Sequence, residues 1–479
     1  MTSSAWPTVT SGWIRTGGLI ASFVIVAAAC SSGSTARSEA AGSGKPSTTT
    51  TAPGSTSAVP ASDAAPRENV AFFYQGINRD TDFSRLGQTA VVVTGKAAPA
   101  YAPEMIHRTG AKAYRGFQAY WFSAGDSYDG LEIPKRIDWA FCLQGSTPLV
   151  ARTDARGNAW HFVDGNERGV QDALAARLLT LKAEGWDGIF FDRGYAAMTG
   201  LDDQANPAWN AVSTCTQDAV VPNLTLSDSY LTLASAVRKV GLEVMVNYGV
   251  SPFDAKTPMR PDPRSPACAP HPVPGCPTLD DVWPITDWIL DEAVAHTEDV
   301  EWDNDFRSNQ QNEVQAKLGR RVMGLITNSN LGGRQDRDSA VFAFARVKLF
   351  AIPVGINTGD DNCPGAPPGG LCNRHGVYPE LVGLRLGDPV DPNPVRSGCE
   401  SASTVHCLWS RRYVNGASIV NVSATTKSLA KFALGVDGCR YVQDLGTQRP
   451  LESNRCVSEV ALIAPPWSGH PLAYSRKPW

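Results

Sequence analysis

The sequence has little charge and no strong excess of one sign. Charged residues make up 19% of its 479 residues, and 43 Lys and Arg against 47 Asp and Glu give a formal net charge of −4. Proteins that bind nucleic acid through a basic surface usually carry a marked positive excess, which is absent here. The composition therefore predicts a protein that does not bind nucleic acid.

Long hydrophobic runs are also missing, apart from one near the N-terminus. After Arg15, residues 17–29 are uncharged and end in small side chains before Cys30. This run is shorter than the roughly 20 apolar residues of a membrane-spanning helix, so a polytopic membrane protein is excluded. The run is typical of a secretory signal, and its Ala-Ala-Ala-Cys ending resembles a bacterial lipobox. We expect residues 1–30 to be a signal peptide with Cys30 lipidated; an ordinary signal peptide with an incidental Cys30 is the alternative.

The next segment has few residues that could form a core. Residues 31–68 consist mostly of Ser, Thr, Ala, Pro and Gly. Such a composition buries too little apolar surface to order itself, which predicts a disordered linker. Signal and linker together predict a protein outside the cytoplasm, anchored by lipid to the bacterial cell membrane.

Metal-ligand spacing is lacking as well, because no Cys-x-x-Cys occurs and the seven His show no regular spacing. We expect neither a metal site nor a cofactor. Without Cys30, ten of the eleven Cys remain, and an exported protein is expected to use them in disulfides. Most fall in close pairs, and two are left over: Cys268/Cys276, Cys363/Cys372, Cys399/Cys407, Cys439/Cys456, Cys142 and Cys215.

Short apolar runs alternate with helical patterns after Glu68, which is typical of a parallel sheet with crossover helices. Apolar residues recur at helical spacing before the fourth, fifth and eighth runs. The eight predicted strands are residues 70–76, 90–95, 111–122, 187–192, 243–249, 287–292, 322–328 and 354–361. Eight strands predict an α/β fold of the (β/α)8 TIM-barrel type over residues 69–373.

The alternative to a barrel is an open, doubly wound sheet. The open sheet is less favoured than the barrel, because no G-x-G-x-x-G turn follows an early strand. One insertion, residues 252–280, contains nine Pro and one Cys pair. On a barrel this stiff loop would overhang the face at which active sites lie.

The helical pattern fades after Arg374. Residues 407–423 resemble two strands around Asn415-Gly416, a strong hairpin signal, and residues 459–463 predict another short strand. We expect residues 374–479 to form a small antiparallel β-sandwich.

Acidic residues end two of the predicted barrel strands. Asp192 ends the fourth strand, and Asp291 and Glu292 end the sixth. Barrel enzymes carry their reacting groups at these C-terminal strand ends. Two carboxylates facing each other there are what glycoside hydrolysis needs: one protonates the departing oxygen, and the other attacks the sugar carbon or activates water.

Three short stretches carry a family resemblance. Residues 164–192, ending in DGIFFD, resemble bacterial glycoside hydrolases of the TIM-barrel, alpha-amylase-like superfamily, including hypothetical glycosyl hydrolase families and relatives of the polygalactosaminidases. Residues 287–292 (DWILDE) are similar to the family's sixth strand. Residues 411–423 are similar to a sequence motif in its C-terminal β-sandwich.

The resemblance implies roles for the acidic residues. It makes Asp192 a catalytic carboxylate and Glu292 the acid/base. Asp291 stands where the family has an apolar residue, which leaves open whether Asp291 or Glu292 faces the barrel interior. Two structural alternatives also stand: Asp192 as a helix-capping carboxylate after its strand, and Glu292 in a cap or a surface pair.

Other polar and aromatic residues near the strand ends are candidates for binding sugar. Amides, carboxylates and aromatic rings suit the hydroxyl groups and apolar faces of sugars. Tyr120 and Trp121 could equally belong to the core. The candidates are Gln75, Arg115, Tyr120, Trp121, Arg193, Tyr195, Asn247, Tyr248, Asn328 and Asp360.

The sequence thus favours a monomeric, lipid-anchored glycoside hydrolase acting on a cell-envelope or extracellular polysaccharide or oligosaccharide. Whether it retains or inverts the anomeric configuration stays open, because that depends on the distance between the carboxyl groups. The alternative is a non-catalytic lipoprotein that binds a glycan or another solute. A metal-dependent hydrolase would need clustered ligands that the sequence does not display.

Overall fold

The computed structural model covers the chain, and the description is confined to residues 67–73, 76–86, 88–117, 122–123, 139–143, 147–148, 150–153, 159–161, 163–165, 167–191, 212–214, 226–247, 283–291, 299–326, 337–357, 379–400 and 406–479. Three predicted segments lie outside these ranges. They are the signal peptide with Cys30, the linker up to residue 66 and the whole Pro-rich insertion, residues 252–280.

Strands and helices alternate through the first part of the described chain. The strands are β1 (Val70–Phe73), β2 (Val91–Thr94), β3 (Lys112–Phe117), β4 (Phe122–Ser123), β5 (Phe141–Leu143), β6 (Thr147–Pro148), β7 (Val150–Thr153), β8 (Ala159–His161), β9 (Gly188–Phe191), β10 (Val212–Thr214), β11 (Glu243–Asn247), β12 (Trp288–Asp291), β13 (Val322–Ile326) and β14 (Val354–Asn357). The helices are α1 (Ala102–His107), α2 (Arg168–Ala183), α3 (Leu226–Lys239), α4 (Asp299–Lys317), α5 (Arg337–Lys348) and α6 (Pro379–Val382).

Eight of these strands close into a parallel barrel. Their order is β1-β14-β13-β12-β11-β9-β3-β2, so neighbours in the barrel follow one another along the chain. Each of the eight predicted strands contains one of them, and the predicted (β/α)8 barrel is confirmed as a closed eight-stranded parallel barrel with helices.

Period-two alternation sorts the strand residues into two apolar layers. One buried cluster fills the barrel interior and includes Phe72, Phe190 and Leu290. The residues between them, such as Phe191 and Ile289, pack outward against the helices. The interior is therefore a packed core, as expected for a barrel of this size.

The third predicted strand is too long. β3 ends at Phe117, whereas Phe122 belongs to β4, which pairs antiparallel with β8 outside the barrel. A continuous apolar pattern cannot show where a chain leaves one sheet for another. Two small sheets lie in this part of the chain, one of β4, β8 and β7 and one of β10, β5 and β6.

The C-terminal part is antiparallel, as predicted. Its strands are β15 (Val395–Ser397), β16 (Leu408–Tyr413), β17 (Gly416–Asn421), β18 (Lys427–Ala433), β19 (Tyr441–Asp444), β20 (Arg449–Pro450), β21 (Glu459–Ala464) and β22 (Ser468–Ser475). Six form a sheet in the order β15-β16-β17-β22-β19-β20, and β18 pairs with β21.

The predicted hairpin joins β16 and β17, but its turn lies one residue earlier. Tyr413 already pairs with Gly416, which leaves Val414 and Asn415 as the loop. Gly416 is needed for space, because a Cβ there would lie 2.2 Å from the carbonyl oxygen of Leu472. Close packing against β22 therefore explains this glycine.

A buried ion pair joins the sheet to the barrel. Arg411 on β16 is fully buried and donates from Nη1 to Glu313 Oε2 on α4 at 2.7 Å and from Nη2 to Glu313 Oε1 at 2.8 Å. Its guanidinium also donates to the carbonyl oxygens of Leu349, Asp391 and Pro392. These contacts compensate a guanidinium charge that is buried away from solvent.

Helix α5 lies directly against β22. A Cβ on Gly469 would lie 2.7 Å from Phe342 Cα, so only glycine permits this approach. Ser418 on β17 donates to the Ala345 carbonyl oxygen at 2.6 Å. Helix α5 and the sheet therefore share one core.

Two predicted disulfides are present, Cys399–Cys407 and Cys439–Cys456. Cys142 is disulfide-bonded too, and Cys215, Cys268, Cys276, Cys363 and Cys372 lie outside the described residues. None of the helices described here is long and apolar enough to span a membrane.

Candidate active site

The two predicted catalytic residues follow barrel strands directly in the sequence. Asp192 comes after Phe191, the last residue of β9, and Glu292 comes after Asp291, the last residue of β12. Both lie outside the described residues. The geometry of the site is therefore given by the strand ends that lead to them.

Apolar side chains close the barrel interior below these strand ends. The rings of Phe72 on β1 and Phe190 on β9 meet edge to face, with centroids 5.2 Å apart. Leu290 and Leu325 belong to the same buried interior cluster. The barrel interior below these strand ends is therefore apolar and buried, an environment in which a nearby charge is weakly screened.

Asn247 is the one predicted sugar-binding residue that the described strands bring to the interior side. It is the last residue of β11 and is 4% exposed. Met245, two residues before it, belongs to the interior cluster, whereas Val244 and Val246 pack outward. Strand alternation thus turns Asn247 inward at the C-terminal end of the barrel.

Asp291 lies on the outer side of its strand. Ile289 packs against the helices, and Asp291 occupies the same side of β12 two residues later. Its Oδ2 accepts a hydrogen bond of 2.7 Å from Nδ2 of Asn312 on α4, and both residues are fully buried. Asp291 therefore ties β12 to α4, and this contact does not support the prediction that Asp291 is catalytic.

Arg115 also lies between the strands and the helices. On β3 it alternates with Tyr114, an interior residue. Its Nη1 donates to Ala98 O at 2.8 Å and its Nη2 to Lys96 O at 2.5 Å. These contacts brace the loop after β2, and they lend no support to the prediction that Arg115 binds sugar.

The opposite end of the barrel carries carboxylates with a structural role. Asp187, just before β9, accepts hydrogen bonds from Ala113 N at 2.8 Å and contacts His107 Nε2 at 2.7 Å. Asp287, just before β12, accepts from Val244 N and from Arg238, each at 2.8 Å. Each carboxylate thus satisfies a backbone N–H of the neighbouring strand and pairs with a basic side chain.

A third carboxylate at this end, Glu243, contacts Lys112 and the hydroxyl of Tyr114. Burial alone would raise the pKa of Glu243, but hydrogen bonds from Lys112 and Tyr114 and the nearby positive charges lower it below its usual range. Burial, together with the hydrogen bond to Glu243, raises the pKa of Tyr114 above its usual range. The cluster therefore holds an ionised carboxylate and a neutral phenol.

Eight further candidates cannot be placed by the described strands. Each follows or lies near a strand end in the sequence but falls outside the described residues: Gln75, Tyr120, Trp121, Arg193, Tyr195, Tyr248, Asn328 and Asp360. Their assignment to sugar binding stays a prediction.

Sequence reasoning missed Asn312 and Glu313. They lie on α4, and Asn309, Asn312 and Glu313 are all buried although they are polar. Their spacing of three and four residues puts them on one helix face. The available signal was a row of polar residues on a helix face that would ordinarily be apolar. This face of α4 contacts Asp291 and Arg411.

No protein-family model and no curated protein matches this sequence. Among solved structures, it is similar to the glycoside hydrolase domain of PelA from Pseudomonas aeruginosa, with 12% identity over 60% of this chain and 94% of that chain and a TM-score of 0.34. It is also similar to Arthrobacter globiformis T6 isomalto-dextranase (13% identity, 86% and 72% coverage, TM-score 0.42). Bacillus licheniformis trehalose-6-phosphate hydrolase gives 9% identity, 86% and 99% coverage and a TM-score of 0.48.

Proposed function

We propose that the protein is a glycoside hydrolase whose catalytic pair is Asp192 and Glu292. The observation that carries the proposal is the alternation of β9 and β12. Phe190 and Leu290 belong to the barrel interior. Asp192 and Glu292 are the next residues of the same parity, two positions further toward the C-terminal end, where barrel enzymes carry their reacting groups.

The chemistry needs one protonated and one ionised carboxyl group. In this proposal Glu292 donates a proton to the glycosidic oxygen as the bond to the sugar carbon breaks. Asp192 either attacks that carbon or deprotonates the water that does so. Asn247, inward-facing at the end of the strand between them, would donate its amide hydrogen bonds to a sugar hydroxyl group.

The proposed substrate is a cell-envelope or extracellular polysaccharide or oligosaccharide. The test offers the full chain a panel of defined oligosaccharides with α- and β-linked hexoses and hexosamines, and measures newly formed reducing ends. We expect the parent protein to cleave one class, and Asp192→Asn and Glu292→Gln each to lower the rate by about 10² to 10⁴-fold.

Matched controls are available just before the same two strands. Asp187→Asn and Asp287→Asn change equivalent groups at the opposite strand ends and are expected to leave the rate of cleavage unchanged. If Asp192→Asn and Glu292→Gln cleave as fast as the parent, the assignment of both residues is wrong. Binding to a glycan without release of sugar would instead favour the non-catalytic binding lipoprotein.

The anomeric configuration of the released sugar would show which of the two mechanisms the enzyme uses. Proton NMR of the newly released sugar distinguishes retention from inversion at the anomeric carbon. Retention would make Asp192 a nucleophile that forms a covalent glycosyl intermediate, and inversion would make it a base.

We also propose that Cys30 carries a lipid anchor, so that the protein acts outside the cytoplasm at the bacterial cell membrane. The apolar run of residues 17–29 before Cys30 and the linker after it support this. Metabolic labelling with an alkyne fatty acid should mark the parent chain. The Cys30→Ala variant should take up no label, and equal labelling of both would contradict the proposal.

For the C-terminal part we propose a two-layered β-sandwich. One buried cluster contains residues from the six-stranded sheet, such as Ile419 and Leu472, and from the β18–β21 pair, such as Phe432 and Leu462. A shared core between two antiparallel layers is what this architecture requires.

A further inference from the structure

The C-terminal sheet carries a serine, a histidine and an aspartate in one hydrogen-bonded line. Ser468 and His470 lie two residues apart on β22, so their side chains share one face of the sheet. Ser468 Oγ is 3.1 Å from His470 Nε2, and His470 Nδ1 is 2.9 Å from Asp444 Oδ2 on the adjacent strand β19. The sequence offered no sign of this arrangement, because Asp444 is far from the other two along the chain.

Each of the two ring nitrogens of His470 faces the partner that general-base catalysis requires. Nδ1 faces a carboxylate, which accepts hydrogen bonds, so the proton of a neutral ring lies on Nδ1. Nε2 is then free of a proton and faces the serine hydroxyl group. This is the tautomer in which a histidine can take a proton from serine.

The carboxylate of Asp444 is held firmly. Its Oδ1 accepts from Gly446 N at 2.8 Å, and its Oδ2 accepts from Thr447 Oγ1 at 3.1 Å in addition to His470. The side chain of Asp444 is 1% exposed, and that of His470 is 6% exposed. Asp444 therefore acts as a positioning residue that fixes the orientation of the ring.

Ser468 is the accessible end of the line. It begins β22 and is partly exposed, unlike His470. Its hydroxyl group also donates to the Pro465 carbonyl oxygen at 2.7 Å, and rotation about the C–O bond redirects the proton to His470. Trp467, the residue before it, has a φ of +52°, a left-handed conformation that is unfavourable for a non-glycine residue. Such strain is concentrated at functional sites.

We propose that Ser468, His470 and Asp444 form a second, independent active site that hydrolyses O-acyl esters. Ser468 is the nucleophile, and His470 is the general base. An ester suits the site better than an amide, because an alcohol leaves more readily than an amine and needs less assistance. A surface serine at a strand end suits an acyl group that projects from a larger molecule.

The reaction is balanced by water alone. Ser468 Oγ attacks the ester carbonyl carbon while its proton passes to His470 Nε2. The bond to the alcohol oxygen then breaks, and the alcohol leaves with that proton. Water, deprotonated by His470, attacks the acyl-serine, releases the carboxylic acid and regenerates the serine hydroxyl group.

The test treats the full chain with a fluorophosphonate probe, which modifies activated serines, and measures hydrolysis of p-nitrophenyl acetate. We expect the probe to modify Ser468, identified by peptide mass mapping. Ser468→Ala should reduce ester hydrolysis to the background rate, and His470→Asn should slow modification of Ser468 by about 10²-fold or more. Ser475→Ala, on the same strand, is the matched control and should behave like the parent.

The parent and Ser468→Ala decide the question even if the buried His470→Asn variant does not fold, because Ser468 is partly exposed and its loss leaves the core intact. Equal ester hydrolysis by these two proteins would overturn the proposal. Modification of Ser468 at the same rate in a folded His470→Asn variant would overturn the role of His470. Absence of any modification at Ser468 would show that the line is only structural.

Discussion

Strands β9 and β12 each have an acidic residue before them and another after them, and we propose different roles for the residues at the two ends. Asp187 and Asp287, at the N-terminal ends, bind a backbone N–H and a basic side chain. Asp192 and Glu292 follow the C-terminal ends. Residue type alone therefore does not distinguish a structural carboxylate from a proposed catalytic one. Position along the strand does not suffice either, because Asp291 at the C-terminal end of β12 binds Asn312 on the outer side of the strand.

The largest expected difference is between two variants with substitutions at opposite ends of β12. Glu292→Gln should lower kcat on a cleaved oligosaccharide by about 10² to 10⁴-fold with little change in stability. Asp287→Asn should leave kcat unchanged and lower the free energy of unfolding, because Val244 N and Arg238 lose a charged partner. Urea unfolding and initial rates measure both quantities, and a reversed pattern would refute the comparison.

The next effect concerns a structural carboxylate far from either strand end. Glu313→Gln leaves the buried charge of Arg411 without its partner, so unfolding should become easier by about 3–5 kcal/mol. Chemical denaturation measures the change. Lys317→Gln is the control, because Lys317 Nζ is 2.8 Å from Glu313 Oε1 but its side chain is 57% exposed, which limits the expected change to below about 1 kcal/mol. Equal changes in both variants would contradict the burial argument.

A smaller effect is expected at the start of β9. Asp187→Asn weakens the contacts with His107 and Ala113 N and should lower the free energy of unfolding by about 1 kcal/mol. Its rate of oligosaccharide cleavage should equal that of the parent, whereas Asp192→Asn should lose activity and keep its stability. Thermal unfolding and initial rates compare the two variants. A loss of kcat in Asp187→Asn would contradict the structural role of Asp187 at the N-terminal end of β9.

The smallest effect is a dependence of stability on pH. The pKa of Glu243 is lower in the folded protein than in the unfolded chain, so the unfolded chain binds the proton first as the pH falls. Stability from ionised Glu243 is therefore fully present above about pH 4.3 and is lost as the pH falls through the folded pKa. Denaturation between about pH 5 and 3 should show a shallower loss in Glu243→Gln than in the parent. Parallel curves would mean that the contacts with Lys112 and Tyr114 contribute nothing.

The barrel could be predicted because each strand carries its signal within a few residues. The runs around Val92, Phe190 and Met245 are apolar on both faces, since one face packs inside the barrel and the other against helices. The hairpin of β16 and β17 could be predicted in the same way, from Asn415-Gly416 between two strand-like runs. The end of β3 was not, because the apolar pattern continues past Phe117 while the chain moves to another sheet.

The candidate site could be predicted only as far as strand ends can be counted. Asp192, Glu292 and Asn247 are predicted because they stand at the ends of apolar runs. Of these three, Asn247 lies within the described residues, on the interior side of β11. The roles of Asp291 and Arg115 depend on which side of the strand they occupy and on what lies there. Asn312 is 21 residues from Asp291, and no local pattern connects the two.

The sequence by itself determined the order of the barrel strands, the antiparallel character of the C-terminal part and the disulfides Cys399–Cys407 and Cys439–Cys456, because these depend on periodicity and spacing over short distances. Only the tertiary structure decided that Asp291 faces α4, that Arg411 and Glu313, 98 residues apart, join sheet and barrel, and that Asp444 meets His470 and Ser468. Hydrogen bonds and ion pairs require atoms within about 3 Å, a condition set by how whole elements pack and not by the residues on either side.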